Sequence, residues 1–522
     1  MATFAGMFIR RRRNKSGTVS VVVVDKSSGK FRELKTIGVS SDPRELSELE
    51  RKARAWMDER TGQLALDFDE SDKAIRSARE VFSHIERTLH NTPQVILNGI
   101  YDSIGFGAIG DDILRHLVIA RVCEPLSKVA TVEYLKSYFD EDIRLHNIYR
   151  YMDRLYSSQR ERVQRISVAH TMRVLGGRIG LVFYDVTTLY FESKPKPDDT
   201  LRQAGFSKDG KTSESQIVLG LLVSEDGYPL SYSIFNGSQY EGRTMIPIID
   251  DFVQRFGLED FVVVADSGLM STKNVALLES AGYKYIIGAR IKSESPELRA
   301  WMMSVEWTDG AIAECRRTGA QRLIVGYSEV RARKNAWNRD KGVERLRKAY
   351  AKGTLTKQDV NRRGYNKFLD ISKDIEVSIN EDKISEDSRW DGLKGYVTNT
   401  SLQASEVIAQ YHGLWVVERA FRIGKGTLEM RPIFHFTEKR IEAHICICFV
   451  AYKVYKELER RMREIGMNMS VDRLLSIAKT VTTLRIKLPN GQLHSETLYT
   501  TPQQEAIRPL VETLAHDART RG

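Results

Sequence analysis

The chain has 522 residues, of which 41% are hydrophobic and 29% charged, with 80 Lys and Arg against 69 Asp and Glu for a net charge of +11. That is too apolar for a disordered chain and long enough for three or four domains with cores of their own. The basic excess points to a polyanionic partner, most often nucleic acid. No window holds eighteen uninterrupted apolar residues, and Arg10 to Arg13 are followed by no apolar stretch, so neither a spanning helix nor a signal peptide is expected. The four cysteines, Cys123, Cys315, Cys446 and Cys448, form no CxxC pair and read as reduced thiols of a cytosolic protein.

Residues 1–60 read as a small basic β-rich domain. Strands at 4–11, 19–25 and 31–37 are separated by turn signals at 14–17 and 26–29, and Ser41, Asp42 and Pro43 open a helix toward Met57. The arginine run suits a DNA groove or an ordinary accessory domain equally. Residues 61–175 are helical. Ile113, Leu114, Leu117, Val118 and Ala120 repeat at helical spacing, residues 124–127 break the pattern, and a second helix starts at Lys128. Such a pair is compatible with a DNA-reading helix-turn-helix, although most such pairs are plain bundles.

From residue 180 the period changes. A strand at 181–184 is followed by a polar loop at 193–215, then a hairpin of strands at 217–224 and 229–236 around the turn 225–227. A helix at 242–256, a strand at 261–265, a helix at 271–282 and a strand at 285–288 complete the run. Residues 291–395 interrupt it as a basic β-rich insertion with strands at 323–327 and 376–379. Arg331, Arg333, Lys334, Lys341, Arg345, Arg347, Lys348, Arg362 and Arg363 crowd this segment, with Trp337, Tyr350 and Tyr365 among them. Arg331 and Arg333 would share a face on a strand, and aromatic residues among cations suit stacking on unpaired bases. A last strand at 395–397 leads to a helix at 405–425 and a long helix from Glu438 to about Met462. Residues 461–522 read as helical with one hairpin around Pro489 and Gly491.

Two apolar strands each end in an aspartate, Asp185 and Asp266. On the helix at 405–425, Tyr411, Glu418 and Lys425 recur every seven residues, about two turns, and so stack on one face with Arg422 close by. Each carboxylate has an ordinary alternative: a turn residue for Asp185, a helix cap for Asp266, an ion-pair partner for Glu418. Strand, hairpin, helix, strand brings the first and fourth strands side by side in a ribonuclease-H-like arrangement, with both aspartates at one end of the sheet and Glu418 arriving on the helix after the fifth strand. Three such carboxylates are what a two-metal phosphoryl-transfer site needs.

At these residues the chain resembles the DDE transposases of bacterial insertion sequences, in the superfamily that carries Tyr-x2-Arg-x3-Glu-x6-Lys around its catalytic glutamate. Tyr411, Glu418 and Lys425 match at the right spacing, while Leu414 stands at the arginine position, leaving Arg419 or Arg422 to supply that charge. The stretches 184–190, 205–210, 216–222, 265–268 and 390–392 are similar too, and the resemblance covers about 180–450. It implies an α/β fold: a ribonuclease-H-like mixed sheet with flanking helices, built from 176–290 and 396–460. It implies Asp185, Asp266 and Glu418 as catalytic ligands of two Mg2+ ions, with Mn2+ able to substitute. Tyr411 and Lys425 would hold phosphates, and Arg331, Arg333, Lys334 and Trp337 would join Arg419 and Arg422 as DNA contacts. The expected activity is nicking of transposon ends followed by joining of the 3′-hydroxyl to target DNA. The expected partners are double-stranded DNA, in the form of terminal inverted repeats and target, and further copies of the chain, in a bacterial cytoplasm. Three rivals share the residues. A haloacid-dehalogenase-type phosphatase would want an aspartate where Thr187 stands. A ribonuclease-H-like nuclease or resolvase would cut without joining. A DNA-binding regulator would bind without cutting.

Overall fold

The computed structural model describes residues 7–61, 75, 77–80, 82–196, 198–206, 210, 212–269, 271–356, 359–361, 364–371, 377–488 and 490–521. Arg362 and Arg363 of the basic segment, the start of the strand expected at 4–11, Ser207 to Asp209, Glu376 and Pro489 lie outside them. The chain divides into two units, residues 1–87 with 485–494, and residues 88–484 with 495–522.

In the first unit, β1 (Met7–Arg13), β2 (Val19–Asp25) and β3 (Arg32–Ser40) form an antiparallel sheet, and α1 (Pro43–Thr61) covers it. Val21 and Val23 of β2 and Leu46 and Ala53 of α1 make its small core. Part of the arginine run is already engaged: Arg11 pairs with Glu50 at 2.5 Å and Arg12 with Glu33 at 3.1 Å.

After β4 (Ile85–Leu89), the second unit opens with helices α2 (Thr92–Ile104), α3 (Asp112–Cys123), α4 (Lys128–Tyr134), α5 (Leu145–Arg154) and α6 (Arg160–Val174). Asp111 and Ser127 cap the starts of α3 and α4 with their side chains, and the Ser127 cap fixes the break between the two helices after Pro125. The sheet follows: β5 (Leu181–Tyr190), β6 (Gln216–Ser224), β7 (Pro229–Asn236), α7 (Met245–Phe256), β8 (Val262–Ala265), α8 (Thr272–Ser280) and β9 (Lys284–Ala289). Next come α9 (Pro296–Ser304), β10 (Ile312–Arg316), β11 (Arg322–Tyr327), α10 (Glu329–Ala351), β12 (Leu369–Ile371), β13 (Val377–Ile379), α11 (Glu381–Ser388) and β14 (Leu393–Thr398). Eight strands make one sheet in the order β10-β11-β14-β9-β8-β5-β6-β7. β5, β8 and β9 run parallel to one another, and the remaining pairings are antiparallel.

Helices cover both faces of this sheet. On one lie α7, α8 and α9. On the other lie α12 (Ala404–His412), α13 (Trp415–Lys425) and α14 (Glu438–Glu464), and beyond them α2 to α6. α14 is buried on nearly every side from Ile441 to Leu458, charged residues such as Lys453 and Glu457 included, as a helix enclosed by other elements. α15 (Val471–Ala478), β15 (Thr482–Lys487), β16 (Leu493–Leu498) and α16 (Pro502–Arg521) end the chain. Among the described residues no helix is long and apolar enough to cross a membrane.

Three expectations are corrected. First, the segment 291–395 is not mostly β: it holds a 23-residue helix, α10, and its strands β10 and β11 extend the main sheet beyond β14. The charge-rich run 329–351 has no alternation of apolar residues to support a strand, and its Ala, Arg, Lys and Glu content favours helix. Second, Arg331 and Arg333 are therefore helical, and do not share a face. Third, the helix expected at 405–425 is two helices. Hydrogen bonds from Leu414 N to Tyr411 O and from Val416 N to Gly413 O tighten the chain into an i→i+3 turn between α12 and α13. Gly413 lies there because a Cβ would come within 2.5 Å of Phe183 Cζ on β5.

Candidate active site

Side chains of a strand alternate between faces, and the burial of β5 shows which face is which. Leu181 and Phe183 join the core beneath α13 and α14, while Val182, Tyr184 and Val186 join the core beneath α7 and α8. Asp185 follows the first set. Val264 of β8 also faces α13 and α14, so Asp266, two residues on, follows it. In the parallel register Tyr184 stands opposite Ala265, and Ala265 opposite Ile287. The next positions, Asp185, Asp266 and Gly288, therefore form a row across three strands, which Tyr396 of β14 extends as the partner of Gly288.

Asp185 is not at the end of its strand. β5 runs five residues further, paired to β6 as far as Tyr190 and Gln216, because only its parallel neighbour β8 stops at Ala265. One carboxylate oxygen of Asp185 accepts the Val186 backbone N–H at 2.8 Å. Asp266 begins the loop after β8 and is exposed. Arg290 braces that loop by donating to the carbonyls of Ser267 (3.1 Å) and Gly268 (3.2 Å).

Tyr411 is buried at the end of α12 and donates its hydroxyl to Asp266 Oδ1 at 2.9 Å. Gly288 makes this contact possible, since a Cβ there would lie 2.5 Å from the Tyr411 hydroxyl oxygen. Burial first, and then the Asp266 charge, push the Tyr411 hydroxyl well above the usual phenol range, so it stays a donor. Its ring stands edge-on to Tyr396 at 4.8 Å.

Glu418 is exposed in the first turn of α13. Lys394 of β14, on the same face as Tyr396, lies within electrostatic reach of two of the carboxylates: its ammonium sits 4.5 Å from the Tyr411 ring centre and feels both Asp266 and Glu418. Burial and the nearby Arg331 nevertheless hold it below the ordinary lysine range. Arg331, near the start of α10, lies close enough to Tyr396 for its charge to oppose the burial that raises that phenol, and with Lys394 adds to the burial that depresses His412. Neither Lys394 nor its neighbourhood was singled out from the sequence. The available signal was its place in the strand, in phase with Tyr396 and out of phase with the buried Leu393 and Val397.

The other expected DNA contacts separate. Arg419 turns away from the carboxylates to Glu459 on α14, which Lys456 also engages. Arg422 lies exposed four residues after Glu418, and Lys425 closes α13. On α10, Arg333 pairs with Glu329 at 3.7 Å, Lys334 is exposed, and the exposed Trp337 carries the Lys341 ammonium 3.9 Å above its ring.

The donor chemistry of Asp185, Asp266 and Glu418 is that of hard oxygen ligands, which suits a divalent cation such as Mg2+. The three are not drawn to a point: among the described residues no three His, Cys, Asp or Glu side chains are close enough to hold an ion.

No curated protein is recognisably similar in sequence. Among solved structures, a piggyBac transposase synaptic complex with hairpin DNA aligns over 79% of this chain and 73% of its own, at 10% identity and a TM-score of 0.38. A Mos1 transposase paired-end complex with the left transposon end aligns over 31% and 53%, at 10% identity and a TM-score of 0.16. Both likenesses are too loose to argue from. The family described as Transposase DDE domain matches residues 176–453, more than half of the chain and the whole of the sheet just described. The chain therefore belongs to the DDE-domain transposases, DNA-transposing enzymes of the polynucleotidyl-transferase class.

Proposed function

We propose that Asp185, Asp266 and Glu418 are the catalytic carboxylates of a transposase that nicks transposon ends and joins the freed 3′-hydroxyl to target DNA. The observation that carries this reading is the register. Tyr184 pairs with Ala265 on parallel strands, so the aspartates come next, side by side, on the face beneath the helix that bears Glu418. The order β7-β6-β5-β8-β9, with the antiparallel hairpin on one side and the parallel strands on the other, supports a ribonuclease-H-like core.

In this reading the three carboxylates hold two Mg2+ ions. Such ions, when bound, would ease formation of the attacking oxygen and stabilise the leaving one. The chain itself positions the reactants. The Tyr411 hydroxyl fixes the rotation of the Asp266 carboxylate. Lys394 and Arg331 present positive charge beside it to a phosphodiester. Arg422 and Lys425, following Glu418 along α13, extend that charge along the strand. Water attacks phosphorus at the transposon end, the P–O3′ bond breaks, and the released oxygen takes up a proton. The freed 3′-hydroxyl then attacks a target phosphodiester and displaces that strand's 3′-oxygen. Two ends must meet for joining, which calls for at least a dimer on DNA.

The test is incubation of the protein with Mg2+ and labelled DNA carrying its element's ends, beside Asp185→Asn and Glu418→Gln. Cutting by wild type alone, with DNA binding kept in all three, is expected. Equal cutting by either variant refutes the site. Binding without cutting by any of them favours a regulator that has lost catalysis.

A further inference from the structure

Away from the carboxylates, a cavity of about 180 Å³ opens between the α3–α4 break and the segment that leads into α14. Its wall carries the cations Arg121 from α3, Lys128 from α4 and Arg431 from the leading segment, together with the imidazoles of His435 and of His444 on α14, which burial pushes well below their ordinary range and so keeps neutral. One carboxylate, the exposed Glu429, stands against them. Arg121, Lys128 and His444 are only 7%, 6% and 5% exposed. Arg121 donates to the Leu126 carbonyl at 3.4 Å, and His444 shares Nε2 with the Met430 carbonyl at 3.1 Å. Lys128 has no hydrogen-bond or ion-pair partner among the described residues. Burying an ammonium without a counter-charge is costly, and surrounding it with further cations makes it more so. Such an arrangement is stabilised when an anion arrives.

We propose that this cavity is a binding site for a phosphoryl oxyanion, gripped by Lys128, Arg121 and Arg431. The source the surroundings favour is the DNA backbone. Phe434 and Phe436 stand 65% and 64% exposed on either side of His435, with Arg202 5.4 Å from the Phe436 ring centre. Bare aromatic rings beside cations suit a nucleotide whose base stacks while its phosphate is held. Arg431 also lies 5.4 Å from the ring of Tyr190, on the strand that carries Asp185. Five residues of strand span roughly 17 Å, so a strand cut at the carboxylates would reach the pocket a few nucleotides away.

The groups facing Lys128 are Arg121 on α3, Glu429, Arg431 and His435 before α14, and His444 and Cys448 on α14. Burial and Arg121 push its ammonium down to about 7. An anion would restore the proton, so binding near pH 7.5 should take up protons from the buffer.

The pocket does not depend on the carboxylate reading, and its test is made in EDTA to keep the two apart. Wild type, Lys128→Met and Arg431→Gln are first checked for an unchanged circular-dichroism spectrum, the second variant serving if the first does not fold. Inorganic phosphate is then titrated calorimetrically in two buffers of different ionisation enthalpy. End-bearing duplex is titrated by fluorescence anisotropy from 50 to 300 mM salt. Expected is saturable phosphate binding with proton uptake by wild type, at least tenfold weaker in either variant, and a salt slope about one unit shallower for DNA, the loss of one phosphate contact. Phosphate binding lost with an unchanged DNA slope keeps the pocket and assigns it to a free oxyanion. No phosphate binding by wild type and an unchanged DNA slope in a folded variant overturn the proposal.

Discussion

Tyr411→Phe separates two roles that the same residue could play. A tyrosine in this position could grip a phosphate of the cut strand or orient a carboxylate. The geometry favours the second, since the hydroxyl is committed to Asp266 Oδ1 at 2.9 Å from a ring that is 3% exposed. A hydrogen bond to a charged acceptor contributes about 1.5–3 kcal/mol. Asp266 itself is exposed, so water can replace much of what is lost, and the lower end applies: about 1.5 kcal/mol, or roughly tenfold. Partners that orient metal ligands commonly affect metal affinity on this scale, roughly 10- to 100-fold. The assay is end cleavage across a Mg2+ series, with DNA affinity measured separately in Ca2+. The half-saturating Mg2+ concentration should rise about tenfold while DNA affinity stays within about twofold. Gly288→Ala should reproduce the effect, because its Cβ would meet the Tyr411 hydroxyl at 2.5 Å and the Ser267 backbone nitrogen at 3.0 Å, and only the tyrosine can yield. An unchanged Mg2+ requirement together with weakened DNA binding would refute the argument and return Tyr411 to the phosphate.

Lys394→Met should lower cleavage at least tenfold and make the salt slope of DNA binding shallower by about one unit; an unchanged slope would mean that no phosphate meets it. Arg331→Ala should cost about tenfold in single-turnover cleavage and Arg333→Ala less than twofold, since residues two apart on a helix point about 200° apart and only Arg331 reaches Tyr396. Equal losses would restore the shared-face reading. Glu457→Gln should destabilise the second unit by roughly 3–5 kcal/mol in urea unfolding, because the carboxylate is 1% exposed and accepts from Tyr228 (2.6 Å) and Arg460 (2.6 and 2.9 Å); a loss under 1 kcal/mol would contradict this. Burial alone would raise that carboxyl, but hydrogen bonds from Arg460 and Tyr228, with His170 3.6 Å away, outweigh it and hold it well below the usual range. Its contribution is therefore full above about pH 4.5 and lost as the pH falls below that. Wild type should weaken in urea below pH 4.5 by more than the variant does.

What the sequence made legible follows from how local each signal was. The strands β5 to β9 announce themselves as apolar runs bounded by Gly, Asp and polar turns, and their order constrains which can be neighbours. Asp185 and Asp266 were readable because each interrupts such a run. The helix break at Gly413 was not, because its cause lies elsewhere in the chain: Phe183 needs the space. The strand assignment of Arg331 and Arg333 failed because two alternating cations are too short a pattern to separate a strand from a helix. Lys394 escaped because a lone lysine in a short strand reads as an ordinary solvated position. Only the pairing of β14 with β9 brings it beside Asp266.

That pairing also brings the segment between Asp266 and Glu418 beside the proposed active site. Tyr327, the last residue of β11, stands opposite Leu393, the first of β14, and Ser328 N donates to the Gly392 carbonyl at 3.1 Å. Ser328 then caps α10 through the Arg331 N–H, so the helix starts beside the strand that carries Lys394. Gly392 turns with φ of 83°, and a Cβ there would lie 2.4 Å from the Tyr327 ring. Arg339, two turns further along α10, ties back to Asp391 at 2.6 Å. Helix and strand are thus clamped at both ends of the Trp390–Gly392 turn, and Arg331 is delivered to Tyr396 and Lys394 by backbone pairing rather than by a flexible loop. A cationic wall held this firmly can offset the repulsion between exposed carboxylates and a polyanionic strand before any ion is bound. In the proposed site the long segment is therefore one side of the cleft, and shortening it at β11 or α10 should remove charge beside Asp266 and lower end cleavage.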